Sequence, residues 1–241
     1  GDRCIYHAAT YGWILDGLMR RVDGKGRSVG EYLRDEIADR SGSSHCKVQN
    51  TVEHRYMRVV RIRSHIHNNA MVVKEWLCDP IAITKLGRMF YTRSSIPRQH
   101  LFNVNGTKDY EIFNHPALRT VGQPAVNGIG NAKSLAKVLD LFQEGKLCSH
   151  LMLEKFQEPV IIDEHDPGIG FRVSKGHGFI YTKSPLGDWQ YGHLGMGGQN
   201  VKTDTKRRIT FAYITNGMKA GQGEYTMTMK RLEAALYKCY Q

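Results

Sequence analysis

Residues 168–216, GIGFRVSKGHGFIYTKSPLGDWQYGHLGMGGQNVKTDTKRRITFAYITN, alternate between apolar and polar side chains with a period of about two. That is the spacing of pleated strands whose successive side chains point to opposite faces. Three strands are predicted, over 168–182, 189–201 and 207–216, with turns at 183–188 and 203–206. Connections this short join antiparallel neighbours, so the segment reads as a meander.

Outward from this segment the period lengthens to that of helices. Downstream, a helix is predicted from about Tyr225 to Tyr240, with Met229, Leu232 and Leu236 as the stripe that covers one face of the sheet. Upstream, Leu135, Val138, Leu139 and Phe142 mark a helix that ends at Gly145. Near the start, Tyr11, Ile14, Leu15, Leu18 and Val22 recur at helical spacing until Gly24 and Gly26. Ser28 and Glu31 then have the spacing of a capping box, opening a second helix through about Ala38 with Tyr32, Leu33 and Ile37 inward. Between 40 and 123 the pattern loosens. It holds a mixed segment over 71–77, a break at Asp79-Pro80, a helical patch over 83–91 and a long loop. The expected class is α+β, one domain over 1–241: a mainly helical part, 1–160, then an antiparallel sheet with a C-terminal helix, 161–241.

The 241 residues are 41% hydrophobic and 24% charged, with only 7 prolines, which excludes a disordered or fibrous chain. No apolar run approaches the roughly 20 residues of a membrane helix, and GDRCIYHAAT at the start lacks the apolar core of a secretory signal. Gly1 in place of Met fits a processed product or a piece of something longer. A net charge of +11 favours acidic partners or keeps the chain soluble. Arg55, Arg58, Arg61 and Arg63 are the densest basic stretch, but Met57, Val59, Val60 and Ile62 between them make it an amphipathic segment with a solvated face. Only one aromatic residue, Tyr56, interleaves, short of a stacking platform, so nucleic acid is not the expected partner. The 5 cysteines form no C-x-x-C pair and read as reduced thiols, which fits an intracellular (cytoplasmic or mitochondrial) compartment better than a secreted one; the sequon at Asn105 pulls the other way.

Several short motifs are tested against chance. Gly128-Ile129-Gly130 opens like a dinucleotide loop, but Lys133 stands where the third glycine belongs. His65 and His67 lack the third ligand that a catalytic zinc requires, and Asp163, Glu164, His165 and Asp166 read as a solvated turn. No metal or other cofactor is expected. Ser134 and Lys137 have the Ser-x-x-Lys spacing of a serine nucleophile and its amine, a pairing that a chain of this composition produces by accident.

Longer segments carry a resemblance. Tyr6-His7-Ala8-Ala9-Thr10-Tyr11-Gly12-Trp13, with Asp23-Gly24 and the run Ser28 to Ile37, resembles the serine beta-lactamase-related family, in its esterase-like branch near the class C enzymes. Tyr191-Gly192-His193-Leu194-Gly195-Met196-Gly197-Gly198-Gln199-Asn200, with Asp204 and then 211–217, resembles that family's active-site strand and the strand after it. Asn127 to Ala136 resembles a third, structural element, and the order of all three agrees.

The resemblance implies a beta-lactamase/transpeptidase-like fold and acyl transfer through a serine acyl-enzyme, in a cleft between helices and sheet. Tyr6 would be the phenol that shuttles protons, a task for which a nearby cation lowers its pKa. His193 would stand where lactamases carry the lysine of their Lys-Thr-Gly triad. Gly195 would let substrate lie close to the strand, and the backbone N–H of Met196 would be an oxyanion donor. Three departures matter. Ala8 replaces the amide of Tyr-x-Asn, which points to small ester or peptide substrates rather than lactams. His193 replaces lysine. The family's Ser-x-x-Lys precedes the tyrosine motif by far more than the five residues present here, so a truncated hydrolase, inactive alone, is one expectation. The other is a catalytically dead binding scaffold that self-associates through the edge strand carrying Ile209, Phe211, Tyr213 and Ile214.

Overall fold

The computed structural model describes residues 4–8, 10–38, 47–48, 59–64, 73–74, 77, 110–169, 171–219 and 223–240. The readings made for Arg55 and Arg58, His65 and His67, the segments around 71–77 and 83–91, and Asn105 lie largely or wholly outside these residues.

Helix α1 spans Thr10–Val22. The capping box at Ser28 is formed: its hydroxyl accepts from Glu31 N at 3.2 Å and the Glu31 carboxylate accepts from Ser28 N at 2.8 Å. It opens α2 (Val29–Tyr32), which continues as a π-helical turn, Leu33–Ala38. Asp16 joins the two helices by accepting from Val29 N at 2.9 Å. Asp16 and Gly12 are therefore the buried side of α1. A Cβ at Gly12 would overlap Gln123 and Ala125. The apolar stripe that announced the helix faces outward instead, with Ile14 60% and Val22 68% exposed.

Short strands β1 (Lys47–Val48) and β3 (Gly128–Ile129) pair antiparallel; β2 (Arg63–Ser64) runs parallel to a strand near the C-terminus. Helix α3 is Pro116–Arg119, α4 Ala132–Gln143 and α5 His150–Glu154. Asn131 caps α4, its side chain accepting from Ser134 N at 2.8 Å.

The sheet is a six-stranded antiparallel meander in sequential order: β4 (Ile161–Asp166), β5 (Phe171–Gly176), β6 (Phe179–Lys183), β7 (Trp189–Leu194), β8 (Asn200–Asp204) and β9 (Ile209–Tyr213). Two of the three expected strands are each divided. His177 and Gly178, both at positive φ (50° and 88°), turn the chain tightly between β5 and β6, and the glycine-rich turn after Leu194 separates β7 from β8. The segment expected to be a solvated turn at 163–166 is instead most of β4. Its alternation is disguised because three of its four side chains are polar and face water while Asp166 is buried.

One sheet face packs on α4 around Leu139, Phe156, Tyr181 and Tyr191, with Phe142, Phe179, Trp189 and Val201 against them. The rings meet edge to face, as Phe142 and Phe156 do at 5.0 Å and 87°. After β10 (Gly217–Met218), which pairs with β2, helix α6 (Met227–Cys239) covers the opposite face. Its inward residues are Met229, Glu233 and Tyr237, while Leu232 and Leu236 are exposed. The expected apolar stripe is thus rotated, because the helix is anchored by polar pairs. Gln190 donates to Glu233 at 3.0 Å, Lys202 lies 3.7 Å from Glu233, and the Tyr237 phenol donates to Asp204 at 2.8 Å.

Candidate active site

Strand β7 carries Gly192 and His193 through the middle of the sheet. A Cβ at Gly192 would overlap the Val201 carbonyl of β8, so only glycine permits this approach. His193 follows with its imidazole on the solvent-exposed side. Across from it the N-terminal segment is fixed by a buried carboxylate. Asp166 accepts from Gly168 N at 2.7 Å and Ile169 N at 3.2 Å through Oδ1, and from Tyr6 N at 2.9 Å through Oδ2. Lys175 donates to the same Oδ2 at 2.6 Å and to the Cys4 carbonyl at 3.2 Å. Gly168 leaves room for the segment: a Cβ there would come within 2.9 Å of Ile5 and of the Tyr6 carbonyl. The outcome is that Tyr6 Oη lies 3.4 Å from His193 Nε2, the rings 5.8 Å apart and tilted by 36°.

The environment sets the protons. Burial raises the Tyr6 pKa above its ordinary 10.0, and the Asp166 carboxylate raises it further. The cation expected to lower it is not what acts on it among the described residues. At His193 the crowding of protein around a ring that still touches solvent lowers the pKa below 6.5, against a smaller opposing effect of a hydrogen bond with the Leu194 backbone. Near neutral pH the pair is therefore a phenol and a neutral imidazole. Tyr6 O–H can donate to Nε2, which leaves the imidazole proton on Nδ1.

Gly195 and Met196 begin the turn from β7 to β8. Gly195 N donates to the Gln199 carbonyl at 2.7 Å, and the Gln199 amide bonds both the carbonyl and the N–H of Thr215, at 2.6 and 2.8 Å. Gly197 and Gly198 adopt φ of 76° and 98°, where a Cβ would press on Met218 and Thr226. The turn is held on several sides, with Met196 half-buried in it.

Ser134 is elsewhere, buried on α4 with its N–H on the Asn131 cap, and the Lys137 amine binds Asp140 at 3.2 Å. Ser44 to Lys47 has a second Ser-x-x-Lys spacing, absent from the sequence reading above. Lys47 pairs with Ile129 in β1, and Ser44 lies outside the described residues. Sequence reasoning set Asp166 aside as part of a solvated turn and missed Lys175; the available signal was Asp166-Pro167-Gly168, an aspartate whose side chain folds over the turn it begins. Among the described residues no group of three metal-ligating side chains converges, and no helix is long and apolar enough to cross a membrane.

The family model described as Beta-lactamase matches residues 1–236. A curated relative, the "Esterase/beta-lactamase LipL" of Mycobacterium tuberculosis, is 22% identical over 225 residues; the match takes in 89% of this chain and 48% of that protein. Among solved structures, a family VIII carboxylesterase superposes with a TM-score of 0.74 at 23% identity, over 99% of this chain and 59% of that one. A penicillin-binding protein homologue from Caulobacter crescentus gives 0.71 at 20%, with the same coverage. EstA from Arthrobacter nitroguajacolicus gives 0.73 at 18%, over 99% of this chain and 60% of its own. The chain thus spans about half the length of the curated relative and about three fifths of these structures.

Proposed function

Because the chain belongs to the beta-lactamase family, we propose that residues 1–241 form the tyrosine and histidine side of an acyl-transfer site for a small ester or peptide. The observation that supports this reading is the 3.4 Å approach of Tyr6 Oη to His193 Nε2 beside a rigid glycine turn. In the proposed reaction a serine oxygen attacks the ester carbonyl while its proton passes to the lysine of its Ser-x-x-Lys; the carbon–oxygen bond to the leaving alcohol then breaks as that alcohol takes the Tyr6 proton, and the proton held by the lysine restores the phenol. Water then hydrolyses the acyl-serine. His193 holds the phenol by accepting its hydrogen bond before transfer, Gly195 keeps the strand open to substrate, and the Met196 N–H donates to the developing oxyanion. Ester-like substrates are favoured by Ala8 in place of an amide and by the likeness to esterases.

The serine and its lysine are proposed to come from a Ser-x-x-Lys segment other than Ser134 to Lys137, whose lysine is engaged with Asp140. In this reading residues 1–241 are inactive by themselves and gain activity when that segment is supplied by the same or another polypeptide. The test is hydrolysis of p-nitrophenyl acetate with and without an added N-terminal segment from a family esterase. A gain is expected, and no gain on addition overturns the reading.

A second reading, a catalytically dead scaffold, is favoured by the place of β9 at the edge of the sheet among the described residues and by the exposed apolar stripe of α1. It predicts oligomers on a sizing column and no labelling by a fluorophosphonate; stoichiometric labelling would exclude it.

A further inference from the structure

The shape of the site depends on a contact that the sheet alone does not make. Tyr6 precedes α1 and belongs to no strand or helix, yet its phenol must reach β7. Its backbone is tied at two points. Tyr6 N donates to Asp166 Oδ2 at 2.9 Å, and the carbonyl of Cys4, two residues earlier, accepts from Lys175 Nζ at 3.2 Å. The two anchors are themselves joined by the 2.6 Å ion pair of Lys175 with Asp166. Asp166 is 1% exposed and its other oxygen closes the turn at Gly168, so the carboxylate cannot swing away without unmaking that turn. A buried ion pair whose remaining lone pairs are filled by N–H donors is the arrangement in which such a pair holds one geometry. The small turn residue Gly168 lets the segment lie against this anchor.

We infer that Asp166 and Lys175 are positioning residues for Tyr6: their ion pair clasps the Cys4–Tyr6 backbone and so sets the reach of the phenol to His193. The inference rests on the proposed Tyr6–His193 pairing. It adds that the pairing is controlled from β4 and β5, by side chains bonded to the backbone of the segment that carries Tyr6. Lys175 is the better probe of the two, because among the described residues its side chain makes only the clasp bonds, whereas the Asp166 side chain also builds the turn at 168–169.

The test uses the full chain with selectively labelled tyrosine and histidine, and reads the NMR cross-peak between the Tyr6 ring and the His193 ring. The cross-peak should be present in the wild-type protein, lost in Lys175→Met and regained in Lys175→Arg. It should persist in Lys183→Met, a comparable substitution on β6. A cross-peak that survives Lys175→Met overturns the clasp while leaving the pairing intact. A cross-peak absent from the wild-type protein removes the pairing itself, and the clasp with it. Should Lys175→Met fail to fold, amide exchange in the wild-type chain decides: the Tyr6 N–H should exchange far more slowly than its neighbours outside the helix, and free exchange there overturns the inference.

Discussion

Tyr6 Oη and His193 Nε2 lie 3.4 Å apart although 187 residues separate them in the chain. A contact of that sequence separation requires the whole fold to be in place, since the N-terminal segment must be held on the sheet and β7 must sit at its centre. The pair therefore reports on folding.

The imidazole links the site to pH. The folded protein binds a proton at His193 less tightly than the unfolded chain does, because the pKa is lowered below 6.5. The stability linked to this group is then complete above pH 6.5 and is lost as pH falls towards the folded value. Urea midpoints measured from pH 8 downwards should fall more steeply on acidification in the wild-type protein than in His193→Gln. Parallel curves would show that the ring is not desolvated.

The polar seam under α6 carries a separate expectation. Tyr237 is 1% exposed and its phenol donates to Asp204, whose carboxylate also binds Arg207 at 3.0 Å. Tyr237→Phe removes one bond to a buried charge and should cost about 1–3 kcal/mol in urea unfolding. Tyr240→Phe, on the exposed side of the helix end, should stay within about 0.5 kcal/mol.

Glycine substitutions separate crowding from open space. Gly192→Ala forces a methyl group into the Val201 carbonyl, a backbone atom that cannot rotate aside, and should destabilise by more than about 3 kcal/mol or shift the β7–β8 register. Gly128→Ala meets nothing within 4 Å and should change stability by less than about 1 kcal/mol. Thermal unfolding of the two variants checks both.

The two Ser-x-x-Lys spacings within the chain give opposite readings. Ser134→Ala should leave any fluorophosphonate labelling unchanged, because that hydroxyl is buried on α4 and the Lys137 amine is occupied by Asp140. Labelling of residues 1–241 alone that vanishes in Ser44→Ala would place the nucleophile inside the chain and end the proposal that another segment supplies it.

Much of the architecture was legible because its signals are local. The capping box at Ser28, the α4 stripe ending at Gly145 and the alternation after Pro167 each follow from short-range backbone rules. What failed depended on partners distant in sequence. The orientation of α6 is set by Glu233 and Tyr237 reaching Gln190 and Asp204, and an apolar count over one helix cannot see those partners. Strand β4 was hidden because Asp166 is a buried carboxylate among exposed polar neighbours, legible only once Tyr6 and Lys175 are known to bind it. Tyr6 and His193 entered through family likeness and not through periodicity, since a lone tyrosine and a strand histidine carry no pattern of their own.

The central claim is that the Tyr6 phenol transfers a proton in acyl transfer. It is tested most directly by p-nitrophenyl acetate hydrolysis in the chain completed with a Ser-x-x-Lys segment, comparing Tyr6→Phe with the unaltered sequence at equal folded fraction. The account predicts a fall of about 10²–10⁴-fold in kcat/KM. Rates equal within about twofold, far below the contribution expected of a general acid, would contradict it.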